Sequence, residues 1–146
     1  MKTIFRLLSF MLLAAIVAGC CNCRSRQRKQ QQPLVGTEWQ LIQMGGATMQ
    51  PVEEQYTLQL LDQEQQVAAM GACNRITATY TLGDKQALHI DAPASTRMLC
   101  PDAETEAKFI EVLAKTTNYD LDGKMLLLFE KETLLAVFQV RPTSEK

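Results

Sequence analysis

Apolar and polar residues alternate along most of this chain from residue 34 onward, which is the pattern of half-buried strands. Ile76, Ala78, Tyr80 and Leu82 give the clearest period of two. Gly45-Gly46, Gly83-Asp84 and Asp122-Gly123 are turn signals between such segments. We expect strands at residues 37–44, 56–60, 65–70, 76–82, 88 to near Pro93, 119–121, 125–129 and 134–140.

One segment has a helical period instead. Residues 102–118 place Phe109, Ile110 and Leu113 on one apolar stripe. Glu104 and Glu106 lie in the first turn, where the helix dipole favours negative charge. This helix precedes the last three strands. The sequence therefore predicts an α+β, β-rich fold: an antiparallel sheet or partly open barrel with one amphipathic helix packed on it.

The N-terminus follows neither pattern. A basic start is followed by an apolar run over residues 7–18 and by Val17-Ala18-Gly19-Cys20. A run of roughly 10–14 apolar residues is too short to cross a hydrocarbon core and is typical of a signal peptide. Small residues directly before a cysteine form a bacterial lipobox, so we expect Cys20 to be the lipidated first residue of the mature protein. A plain secretory signal or a coincidental apolar start are the alternatives.

Charge divides the remaining chain. Residues 1–19 are the expected lipoprotein signal peptide, 20–33 a flexible basic tether, 34–141 the folded domain and 142–146 a C-terminal tail. From residue 34 onward the chain has 16 acidic and 9 basic residues, a formal charge of −7. An acidic body argues against nucleic-acid binding. The tether either serves solubility and spacing or is attracted to anionic lipid headgroups.

Two cysteines lie inside the expected domain. An exported bacterial protein occupies an oxidising compartment, and Cys21 and Cys23 belong to the tether, so we expect Cys73 and Cys100 to form a disulfide. A zinc site that also uses His89, the only histidine, is a rival without CxxC or HxxxH spacing. A Cys73–His89 nucleophile pair is a second rival. No metal or cofactor is expected.

The segments Gly71-Ala72-Cys73-Asn74 and Ser95-Thr96-Arg97-Met98-Leu99-Cys100, followed by an amphipathic helix, resemble the META domain. This is the family of the bacterial heat-shock lipoprotein HslJ. The similarity extends from about residue 34 to residue 140, with Thr37-Glu38-Trp39-Gln40-Leu41 at its start. It implies a compact β-rich fold and an association with envelope stress and antibiotic tolerance, including tolerance of novobiocin. It implies no catalytic residues and no agreed ligand.

Structural roles account for the residues of these motifs. We expect Trp39 to be a core side chain whose indole N–H has one partner. Gly71 either takes a positive φ or permits a close approach. Asn74 is a residue type that tolerates the left-handed conformation and can bond its own backbone in a turn, and Ser95 and Thr96 are suited to satisfy backbone groups just after Pro93.

The functional expectation is a non-enzymatic, monomeric envelope lipoprotein that binds an envelope protein or a cell-wall component. The alternative is a carrier of a small hydrophobic ligand in a cavity between sheet and helix. An enzyme that uses paired carboxylates such as Glu53-Glu54 ranks last. Since Cys21 is not acidic, the common sorting rule predicts the outer membrane, with the domain facing the periplasm.

Overall fold

The computed structural model describes residues 31–141, which include the whole of the expected domain. The predicted signal peptide, the lipidation site Cys20, Cys21, Cys23, most of the tether and the tail lie outside these residues. The backbone N–H of Gln32 already donates to the carbonyl of Gly123 (3.1 Å), so contact with the sheet begins before residue 34. Within residues 31–141, no helix has the length and apolar character needed to cross a membrane.

The described chain forms one curled antiparallel sheet with a single α-helix packed on it. The predicted α+β, β-rich class is therefore confirmed. The strands follow the order β6-β5-β4-β3-β1-β9-β8-β7, with the two-residue β2 paired to the end of β1. Their bounds are β1 Glu38–Met44, β2 Ala47–Thr48, β3 Thr57–Leu61, β4 Gln66–Met70, β5 Arg75–Leu82, β6 Leu88–Ser95, α1 Ala103–Lys115, β7 Asn118–Asp122, β8 Met125–Glu130 and β9 Thr133–Val140.

The sheet curls into a half-barrel, and its two end strands, β6 and β7, approach each other at one point. The Leu88 N–H at the start of β6 donates to the carbonyl of Thr117 just before β7 (3.0 Å). Gln86 Nε2 donates to Asp120 Oδ1 (2.9 Å) across the same gap. Helix α1 begins after the end of β6 and leads into Thr117, so it runs back alongside β6.

The inner side of this half-barrel holds the core. Trp39 is fully buried, and its indole N–H donates to the carbonyl of Leu34 (3.2 Å), as expected from the sequence. Phe109 of α1 packs edge-on against Tyr56 (5.6 Å between ring centroids) and lies 6.2 Å from Phe138 of β9. The apolar stripe of the helix therefore completes the core that the strands begin.

The helix ends three residues earlier than predicted. Thr116 is already extended, its hydroxyl donates to the carbonyl of Val112, and the Thr117 N–H donates to the carbonyl of Phe129. The chain leaves the helix at Lys115 because the residues that follow bond to the sheet.

Two strand predictions also need correction. Strand β6 continues past Pro93 to Ser95, because Ala92 and Pro93 lie at a register shift where no ladder hydrogen bond is required. The β7–β8 loop consists of Gly123 and Lys124, with Asp122 paired to Met125, and so begins one residue later than the predicted Asp-Gly turn.

Candidate functional site

The two sequence motifs meet at one end of the sheet. Residues 71–74 form the loop between β4 and β5, and residues 96–102 form the loop between β6 and α1. Because β5 and β6 are antiparallel neighbours with Ile76 opposite Ser95, the start of one lies beside the end of the other. A disulfide joins Cys73 to Cys100, with Cα atoms 6.0 Å apart. The cysteine pairing expected from the sequence is therefore present.

Asn74 connects the two loops through its side chain. Its Oδ1 accepts from the Met98 backbone N–H (2.8 Å) and from the Thr96 hydroxyl (2.9 Å). Its Nδ2 donates to Glu106 Oε1 (2.6 Å) and to the Met98 carbonyl (3.2 Å). Asn74 does not use the left-handed conformation that this residue type tolerates: its φ is not positive, and its amide bonds a neighbouring loop and not its own backbone.

Thr96 does satisfy backbone groups, but they belong to Arg75 on the neighbouring strand and not to the residues just after Pro93. Its hydroxyl accepts from the Arg75 N–H (3.1 Å), and its own N–H donates to the Arg75 carbonyl (3.0 Å). These bonds fix the first residue after β6 against the first residue of β5.

Glu106 is the centre of the cluster, and sequence reasoning missed it. Glu106 is 6% exposed, whereas the sequence pattern predicted only a favourable interaction of its charge with the positive end of the helix. Oε2 accepts from the backbone N–H groups of Cys73 (3.3 Å) and Asn74 (3.1 Å). The signal was its position three residues before Phe109 and seven before Leu113, which places it on the buried stripe of the helix. A buried carboxylate needs such donors, because an unpaired buried charge is very costly.

Gly71 makes this arrangement possible by close approach. Its φ lies outside the left-handed region, which leaves close approach as the reason for glycine here. A Cβ at this position would lie 2.5 Å from Glu106 Oε2 and 2.7 Å from Glu106 Cγ, well inside van der Waals contact. The glycine of the GxCN motif therefore makes room for the carboxylate.

A second polar contact fixes the start of the helix. The Tyr56 hydroxyl donates to Asp102 Oδ2 (2.6 Å). Burial, together with this bond to a carboxylate, raises the pKa of Tyr56. The Thr105 hydroxyl, together with Tyr56, lowers the pKa of Asp102. Both shifts favour a neutral phenol that donates to an ionised carboxylate.

These contacts hold an exposed tip formed by Arg97, Met98 and Leu99. Met98 is 59% exposed and Leu99 is fully exposed, although both lie within a few residues of the disulfide and of the Asn74 contacts. The cluster thus presents two apolar side chains to solvent from a fixed backbone.

The sulfur and carboxylate atoms of the cluster are all engaged with one another or with backbone and amide donors. Ligand atoms of Cys73, Cys100 and Glu106 lie within 4.8 Å of one another. Both sulfurs are used by the disulfide, however, and both carboxylate oxygens already accept hydrogen bonds. His89 is exposed on β6 opposite Thr81, toward the other end of the strand pair, so neither the zinc set nor the Cys73–His89 pair is brought together.

An open groove of about 800 Å³ lies on the other side of the helix. One wall is the stripe of α1 that contains Lys108, Val112 and Lys115. The opposite wall comes from the β1–β2 hairpin and the start of β9 and is largely apolar. Its side chains include Met44, Ala47, Met49, Leu134 and Leu135. The alternative function expected a cavity between sheet and helix; the structure has an open groove beside the helix.

Comparisons with known proteins agree with this architecture. An NMR structure of a protein from Burkholderia xenovorans has a TM-score of 0.60 at 21% identity, covering 74% of this chain and 83% of that chain. A second NMR structure has a TM-score of 0.59 at 18% identity, covering 73% and 91%. A crystal structure of a DUF4847 family protein from Bacteroides vulgatus has a TM-score of 0.54 at 14% identity, covering 73% and 93%.

No curated protein sequence matches the chain. A family model described as the META domain matches residues 32–142, which include both loops of the cluster and the whole half-barrel. The likeness expected from the GxCN and STRMxC segments is thereby established, and this chain belongs to the META domain family.

Proposed function

We propose that this protein is a lipid-anchored envelope lipoprotein of the HslJ type whose META domain is a non-enzymatic binding module, linked to envelope stress or antibiotic tolerance. The lipobox before Cys20 and the basic tether support the anchored location. The Cys73–Cys100–Glu106 cluster supports a binding role over a catalytic one, because its sulfurs and carboxylate oxygens are already bonded.

The observation that carries this proposal is the rigid exposed tip. Leu99 is fully exposed next to the disulfide, and the Met98 N–H is fixed by Asn74 Oδ1 at 2.8 Å. Binding through a preorganised loop avoids the entropy of ordering it at the moment of contact, and a few well-packed side chains, Arg often among them, carry most of the energy of an interface. The tip offers Arg97, Met98 and Leu99 for such a contact with an envelope protein or a cell-wall component.

Site-specific crosslinking tests the tip in living cells. A photoreactive amino acid at position 99 of the full-length protein is expected to give a discrete adduct. The same amino acid at position 82 is the matched control, since Leu82 is also exposed but lies at the other end of β5. The variant Arg97→Ser, with the photoreactive residue at 99, should weaken the adduct. Equal adducts from positions 99 and 82 would contradict a specific role of the tip.

The proposed location is the outer membrane, with the domain facing the periplasm and attached through Cys20. Membrane fractionation of the wild-type protein tests it. Recovery of the mature form only with inner-membrane markers would reject this location without affecting the binding role of the tip.

A second candidate function is a carrier of a small hydrophobic ligand. The groove beside α1 favours it, since about 800 Å³ lies within the usual range of roughly 300–1,000 Å³ for ligand sites. Labelling by a lipophilic photoreactive probe, mapped by peptide mass spectrometry, should identify groove residues if this function is correct.

A further inference from the structure

We propose that a polar cleft on the outer face of the sheet binds a short zwitterionic peptide, with the peptide carboxylate at Arg75 and the peptide ammonium group at Glu54. The cleft has a volume of about 430 Å³ and lies over strands β1, β3, β4 and β5, on the side opposite the core. The tip residues 97–99 do not line it. The proposal therefore concerns a second site and does not rest on the binding role of the tip.

The strand register makes the cleft a depression in the sheet surface. On β4, Ala68 lies directly between Gln59 of β3 and Thr77 of β5, which are its cross-strand neighbours. The alanine side chain ends at Cβ, whereas both neighbours have longer polar side chains, so the surface is lowest at Ala68. The Gln59 amide is held in place, because its Nε2 donates to the Gly36 carbonyl (3.0 Å).

The Thr57 hydroxyl is a polar group that this cleft leaves without a partner. Thr57 is 8% exposed and lines the cleft. Its hydroxyl has no hydrogen-bond partner among residues 31–141, and within that range no closed-off side-chain oxygen of a buried or half-buried residue lacks a partner. The Thr57 oxygen is therefore open to the cleft. A hydroxyl donates one hydrogen bond and accepts two, so the N–H and C=O groups of a bound peptide would satisfy it.

The charges that line the cleft sum to zero and leave one group of each sign unpaired. The four charged side chains in the lining are Glu38, Glu54, Arg75 and Arg141. Arg141 pairs with Glu38, whereas Arg75 and Glu54 have no ion pair within the described part of the chain. A ligand with charge of one sign would match only one of these two groups, and a zwitterion matches both. Because a zwitterion has no net charge, the formal charge of −7 from residue 34 onward does not repel it.

The length of the cleft favours a peptide over a single amino acid. Thr57, Met70 and Arg75 are cross-strand neighbours on β3, β4 and β5, so two interstrand spacings, roughly 10 Å, separate Thr57 from Arg75. A peptide of two or three residues, at about 3.4 Å per residue, covers this distance. A free amino acid does not, because its carboxylate and its amine are bonded to the same carbon.

The loop that carries Glu54 is fixed by hydrogen bonds. Gln40 is 4% exposed, and its Nε2 donates to the carbonyl of Gln55 (2.7 Å). The Tyr56 N–H donates to the carbonyl of Gly71 (3.2 Å). A wall that is ordered before the ligand arrives lowers the entropy cost of binding.

Saturation-transfer NMR tests the proposal on the protein purified from cells and reconstituted in phosphatidylcholine vesicles, with protein-free vesicles as the blank. The probes are alanyl-alanine dipeptides in their free, N-acetylated and C-amidated forms. Exposed ion pairs are weak, so we expect acetylation or amidation each to raise the dissociation constant about 1.5- to 5-fold. The L,L and D,D stereoisomers distinguish a protein-derived peptide from a cell-wall peptide, since the isomer that binds more tightly identifies the source.

Matched variants assign each charge of the peptide to its partner. In Glu54→Gln, acetylation should no longer weaken binding, and in Arg75→Gln, amidation should no longer weaken it. Glu53→Gln and Lys85→Gln make the same changes of charge at exposed positions outside the lining, and both should keep the two effects.

The hydroxyl has its own variant. Thr57→Val keeps the branched side chain and removes the oxygen, so it should raise the dissociation constants of all three forms about 2- to 12-fold. Thr79→Val, at an exposed position of β5 outside the lining, should leave them unchanged. A melting temperature equal to that of the wild type shows that Thr57→Val acts on binding and not on folding.

Two results would overturn the proposal. One is the absence of saturation transfer above the blank for every free dipeptide, and the other is an equal dissociation constant for the free and the capped forms. Either result leaves the binding role of the tip intact, because crosslinking at position 99 measures that role separately.

Discussion

The change Gly71→Ala tests whether the GxCN glycine is required by the buried carboxylate. A methyl group at this position would lie 2.5, 2.7 and 2.8 Å from three atoms of Glu106. Glu106 cannot simply turn away, because its oxygens accept from the Cys73 and Asn74 N–H groups and from Asn74 Nδ2. Overpacking costs roughly 1–3 kcal/mol, and weakening one hydrogen bond to a charged group adds about 1.5–3 kcal/mol. We therefore expect a loss of about 2.5–6 kcal/mol in the free energy of unfolding.

Chemical denaturation of the wild type, the single variants and the double variant measures this cost. Gly83→Ala is the matched control: its φ is ordinary, and a Cβ there would meet only the Ala87 Cβ, at 3.2 Å. We expect it to change stability by less than about 1 kcal/mol. Once Glu106 is replaced by Ala, the clash partner is absent, and Gly71→Ala should cost less than about 1 kcal/mol. An equal cost of Gly71→Ala with and without the Glu106 side chain would refute the steric reasoning.

Three further predictions follow from the cluster and from the N-terminus. Cys73→Ser should lower the free energy of unfolding by about 3–4 kcal/mol, the chain-entropy estimate for a sequence separation of 27 residues, and unchanged melting would contradict a structural disulfide. Because burial and Asp102 raise the pKa of Tyr56, the unfolded state loses this proton first above about pH 10, so stability should fall there as pH rises, by at most about 1.4 kcal/mol per pH unit. Tyr56→Phe should reduce this alkaline slope, as measured by denaturation between pH 8 and pH 11, while a smaller slope should remain because burial also raises the pKa of Tyr80. Cys20→Ala should abolish incorporation of labelled fatty acid, and an unlabelled wild-type protein would reject the lipobox.

The strands and the helix were predictable because their signals are local. A period of two in Ile76, Ala78 and Tyr80 places each of these side chains on the inner face of β5, where they are buried or half-buried. Helix α1 has its apolar stripe where the sequence places it, at Phe109 and Leu113. Such patterns depend on neighbours within a few residues along the chain, so the sequence contains enough information to identify them.

The bounds of several elements depended on partners far along the chain. Thr116 and Thr117 left the predicted helix because the backbone groups of Leu88 and Phe129 bond to Thr117. Strand β6 passed Pro93 because a register shift removes the need for its missing N–H. Neither condition can be read from residues adjacent in sequence.

The candidate site shows the same division. Its motifs were identifiable by their resemblance to the META domain, and the Cys73–Cys100 pair from the expected compartment and the cysteine count. The role of Glu106 was not identifiable, because a carboxylate on an apolar stripe normally argues against burial. Only the folded sheet brings the N–H groups of residues 73 and 74 to that carboxylate, 32 residues away from Asn74. The sequence by itself determined which segments become strands, helix and linked loops. The tertiary structure decided which polar groups meet, since buried charge is tolerated only where distant parts of the chain supply its hydrogen bonds.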